Sequence, residues 1–77
     1  MHVLIKTMIE RAEEYAEFCG KQASEAYDTT GVPGVMRWSQ SFEQSLAGTT
    51  QQIEMHLRER FAAALEAETS ARKGRVG

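Results

Sequence analysis

Residues 5–26 read IKTMIERAEEYAEFCGKQASEA, and within them Ile5, Ile9, Ala12, Ala16, Cys19, Ala23 and Ala26 recur at spacings of four, three, four, three, four and three. That alternation is a heptad seam on one face of a helix. From Ala12 onward its members are small, so a packing neighbour can bring its backbone close and must itself supply the bulk. Leu4, Met8, Tyr15 and Phe18 form a second apolar stripe beside the seam, so the apolar arc covers nearly half of the helix circumference. One neighbouring helix covers only part of such an arc. Lys6, Glu10, Glu13, Glu14, Glu17 and Lys21 fill the opposite side and read as its solvated face, with Glu17 and Lys21 at the favourable i,i+4 spacing. Gly20 lies at the edge of the seam, where it can admit a close helix crossing.

The seam ends in Asp28-Thr29-Thr30-Gly31-Val32-Pro33-Gly34, the chain's one run of breaker chemistry. Gly31 can take a positive φ as the first helix ends, and Pro33 fits the first turn of the next, where its missing N–H is not needed. Beyond it, Val35, Trp38, Phe42, Leu46, Thr49, Ile53, Leu57, Phe61 and Ala64 recur at threes and fours. In a hairpin folded about residue 32, Phe42 faces Ala23, Leu46 faces Cys19, Ile53 faces Ala12, and Phe61 lies near Val3 and Leu4. Large residues then meet small ones throughout. Gly48 falls opposite Ala16, which gives a mid-helix glycine a packing reason; the competing reading makes Gly48-Thr49-Thr50 a kink or a break. After Leu57 the stripe precesses around the helix, towards a second neighbour.

The expected fold is therefore all-α: an antiparallel two-helix hairpin completing a four-helix bundle by homodimerisation. Its parts are a helix over about residues 3–27, a turn at 28–34, a helix over about 34–70 and a basic tail at 71–77, all one domain. A chain of 77 residues buries only about 60–65% of its unfolded surface, and a core of that size supplies roughly 3–5 kcal/mol. The single Cys19 excludes an internal disulfide, and no Cys/His spacing offers a structural zinc. Self-association is the remaining source of stability.

Chemistry-bearing residues are few. His2 and His56 lack helical partners for a metal pair, so no metal or cofactor is expected, and His56 reads as a flank residue at a subunit contact. The Glu10, Glu13, Glu14 and Glu17 cluster has no apolar pocket to shift a pKa for acid–base work. Cys19, between Ala16 and Ala23, reads as a buried small hydrophobe rather than a nucleophile, which suits a reducing, cytoplasmic setting. Residues 31–34 lack the spacing and the Lys-Ser/Thr pair of a phosphate loop. No 18-residue apolar stretch offers a membrane span, and the run Met1 to Ile5 is too short for a signal peptide. The net charge of −2 argues against nucleic-acid binding as the main role, although Arg72, Lys73 and Arg75 could touch phosphates.

Arg60 projects into the apolar stripe of the second helix, so it either snorkels outward or meets a carboxylate, in the functional reading one on a partner chain. Trp38, near the turn with Met36 and with Tyr27 across from them, is either an interface anchor or a bundle cap. These features point to a non-catalytic module, an adaptor, chaperone or inhibitor-like subunit of phage or bacterial accessory type. It would bind a partner protein, or itself as a dimer, through Met8, Tyr15, Phe18, Trp38, Phe42, Ile53, Leu57, Arg60, Phe61 and Leu65. The alternatives are a structural scaffold or surface-coating protein, and nucleic-acid binding through the basic tail.

Overall fold

A computed structural model describes the backbone of residues 2–76 and the side chains of residues 6–74. Within that range the chain forms three helices and no strand: α1 (His2–Thr30), α2 (Val32–Ser45) and α3 (Gln51–Val76). The all-helical class follows the heptad pattern.

The α1–α2 connection is a single residue wide. Gly31 takes φ +72°, its N–H donating to the Tyr27 carbonyl at 2.9 Å, and Pro33 sits in the first turn of α2. Because the turn is so tight, α2 folds directly back along α1. Phe42 and Leu46 accordingly share one buried cluster with Ala16 and Cys19, while Ala12 and Ile53 pack at its edge. The bulk comes from the second half of the chain and the space from the first.

The continuous helix expected over residues 34–70 is two helices. Gly48 has φ +85°, and an added side chain there would meet nothing within 4 Å, so it serves a turn and not a close packing against Ala16. Thr49 donates its N–H (3.0 Å) and its hydroxyl (2.6 Å) to the Leu46 carbonyl, closing the end of α2. The Thr50 carbonyl then accepts from the N–H of Glu54 at 2.9 Å, starting α3. The basic tail is helical as far as Val76, the end of α3.

The break reverses the chain a second time. Contacts between α1 and α3 climb both helices together: His56 with Glu13, Arg60 with Glu17, Thr69 with Ser24, and Arg72 with Asp28. Hence α3 runs parallel to α1, and the bundle is up-down-up. Phe61 does not lie near the start of α1; it stacks on Phe42 with ring centroids 4.8 Å apart. Its carbonyl crosses Gly20, where an added Cβ would collide with it and stand 3.0 Å from both Ala64 Cβ and the Leu65 nitrogen. Gly20 is thus the close crossing anticipated from the seam, made by α3. The second neighbour towards which the stripe turns after Leu57 is inside the chain.

Candidate protein-interaction surface

Both α2 and α3 lie on one side of α1, which leaves the other side of α1 open. Viewed down its axis at about 100° per residue, the open arc is centred on Phe18. Solvent-facing helix backs are ordinarily polar. Here Met8, Tyr15 and Phe18 remain 64%, 41% and 48% exposed. The Tyr15 and Phe18 rings stack at 6.4 Å, and Phe18 meets the edge of Trp38 from α2 at 5.7 Å. Together they make a continuous apolar strip across α1 and onto α2, with the half-buried Trp38 tying it to the core cluster.

The strip is held from beneath. Cys19 is fully buried behind it, and burial pushes its thiol pKa up, opposite to the activation a nucleophile needs. The Tyr15 phenol pKa is raised, first by the Cys19 thiol one turn further along α1 and then by desolvation.

The other residues expected at an interface divide in two groups. Phe42 and Leu57 are buried within the chain's own core, and Ile53 and Phe61 pack against it. None of the four forms an open face, because the break at residues 46–50 folds α3 back onto α1, where these side chains join the chain's own core. Leu65 is half-buried and lines a groove of about 630 Å³ between the start of α2 and the end of α3, walled also by Val32 and Val35 over Ser24 and Tyr27.

Arg60 meets carboxylates, but in its own chain: its guanidinium is 2.9 Å from Glu17 and 3.6 Å from Glu13. His56 bonds Glu13 directly, and that hydrogen bond, with Arg60 beside it, holds the Glu13 carboxyl below its ordinary range against a smaller opposing effect of desolvation. The expected solvated face of α1 is therefore in part a charged strap onto α3. A second strap joins α2 to α3, where Arg58 donates twice to Glu43, at 2.8 and 2.9 Å.

Arg72, one of the tail cations that could touch phosphates, is engaged within the chain. It lies at the groove floor, donating to the Ser24 carbonyl at 2.5 Å and to Ser24 Oγ at 2.6 Å, with Nε 2.7 Å from Asp28. Only the parallel placement of α3 brings these groups together, so no local spacing in the sequence signals the contact. Among the described residues no group of three or more His, Cys, Asp or Glu side chains could hold a metal ion, and no helix is long and apolar enough to cross a membrane. No known protein family, curated protein or solved structure matches this chain.

Proposed function

We propose that this chain is a non-catalytic protein-interaction module that works by burying the Tyr15–Phe18–Trp38 strip against another protein surface. The observation that carries the reading is the composition of the open back of α1, where two aromatic rings and a methionine occupy positions that solvent ordinarily reserves for polar groups. Area supports it. The chain exposes 5726 Å², whereas a folded monomer of 8.6 kDa exposes about 4,700 Å². The excess of about 1,000 Å² is comparable to the roughly 800 Å² that each partner contributes to a standard interface. The dimensions of 48 × 23 × 16 Å agree with this, since a body that thin keeps most residues near a surface.

Catalysis lacks support among the described side chains: the Cys19 thiol is buried and raised in pKa, and His56 is bonded to a carboxylate already shared with Arg60. The module reading is tested by sizing the chain both purified and in an extract of its source cells, beside the Phe18→Asp variant. The expected result is a species larger than the 8.6 kDa chain in at least one setting, reduced by the variant. A chain that runs as an 8.6 kDa monomer in both settings refutes it.

A further inference from the structure

The strip has a charge pattern that matches itself in reverse. Arg11, Phe18 and Glu25 are spaced by seven residues, so they stand on one line along the open back of α1. All three are exposed. Neither Arg11 nor Glu25 has an ion-pair or hydrogen-bond partner among the described residues, nor do Glu14 and Lys21 on the same open side, whereas Glu13 and Glu17, turned towards α3, pair with His56 and Arg60. A positive group, an apolar centre and a negative group at equal intervals form a self-complementary line only when a second line runs the opposite way.

We propose that the occupant of this face is a second copy of the same chain, with the two α1 helices crossing antiparallel about a two-fold axis at Phe18. This rests on the interaction-module reading and names its partner. The axis sets Phe18 on Phe18 of the second copy, and each Arg11 on Glu25 of the second copy, so every contact occurs twice, as an isologous interface requires. Tyr15 then lies over the aliphatic stem of Lys21 from the second copy, and Glu14 faces Gln22. A parallel pairing in the same register sets Arg11 on Arg11 and Glu25 on Glu25, and like-charge contact disfavours it. The apolar centre provides the attraction, and the two charge pairs at its ends fix direction and register. Residues spaced by seven keep facing a partner helix when the axes cross at about 20°.

The test is charge reversal read by sedimentation equilibrium at low and at high salt, with helicity checked by circular dichroism. Arg11→Glu sets one carboxylate against another at both ends of the interface and is expected to weaken dimerisation about tenfold at low salt, with a smaller loss at high salt. Glu25→Arg does the same with opposite sign. The double variant Arg11→Glu with Glu25→Arg restores both pairs with the net charge unchanged, and its dimer is expected within about threefold of the original. As an independent check, Phe18→Cys oxidises to a covalent dimer, because only a residue on the axis meets its own equivalent. A dimer indifferent to either reversal, or one that the double variant fails to recover, overturns the antiparallel arrangement and leaves the module reading standing. A purified chain that stays monomeric to millimolar concentration overturns the second-copy assignment, and the extract experiment then decides the module reading separately.

Discussion

Replacing Gly20 by alanine separates helix propensity from packing in a single methyl group. In an isolated helix the change stabilises by up to about 1 kcal/mol. Here the added Cβ would strike the Phe61 carbonyl and stand 3.0 Å from Ala64 Cβ and from the Leu65 nitrogen. Two of those three atoms are backbone of α3, which cannot rotate away as a side chain would. Overpacking of this kind costs about 1–3 kcal/mol, and rigid neighbours place the cost in the upper half of that range. The net expectation is a loss of about 1–2 kcal/mol, which for a domain of this size lowers Tm by roughly 4–16 °C. Gly74→Ala is the matched control, because it also lies in a helix and its added Cβ meets nothing within 4 Å; it should be neutral or slightly stabilising. Urea and thermal unfolding followed by circular dichroism read both. If Gly20→Ala raised Tm as much as Gly74→Ala, the close α1–α3 crossing would be wrong.

Three further outcomes follow from the same packing. Phe42→Ala removes a buried ring stacked on Phe61 and should cost about 3–5 kcal/mol, enough to unfold most of the chain at 37 °C as read by urea titration. The Glu13 carboxyl, held low by His56 and Arg60, contributes stability above its ordinary value of 4.5 that is lost as pH falls through its depressed folded value; Glu13→Gln should flatten the acid limb of Tm against pH, and an unchanged limb would refute the strap. A pair of cysteines at Ser24 and Thr69, whose hydroxyl oxygens lie 2.6 Å apart, should form a disulfide quantitatively on oxidation; in a two-helix hairpin folded about residue 32 these positions would lie about 40 Å apart, so failure to link on a folded background favours the extended form.

Local chemistry made much of the fold legible, and global topology hid the rest. The small-residue seam fixed α1 and its demand for bulky neighbours, and Gly31 with Pro33 fixed the first reversal. The second reversal was masked because Leu46, Thr49 and Ile53 continue the helical spacing across it. Leu46 and Ile53 both turn towards the α1 seam, one from the end of α2 and the other from the start of α3, so periodicity alone joins them. A glycine at position 48 satisfies either a close packing or a left-handed turn, and only its surroundings decide. Arg60 carried a usable signal, a charge on an apolar arc that required a carboxylate, but the source of that carboxylate depended on where α3 lay. Arg72 and Ser24 carried none, being 48 residues apart and brought together only by the parallel return. The open strip of Met8, Tyr15 and Phe18 was readable from the start, because its excess over what one neighbour covers is a property of α1 alone.

The most direct measurement is an isotope-filtered NOE experiment on a mixture of labelled and unlabelled chain, observing the Phe18 and Tyr15 ring protons. Intermolecular NOEs from Phe18 to Phe18 and from Tyr15 to the Lys21 side chain are the expected result. Intermolecular NOEs confined to other surfaces, or none at millimolar concentration, would contradict the assignment of the α1 face as the interface.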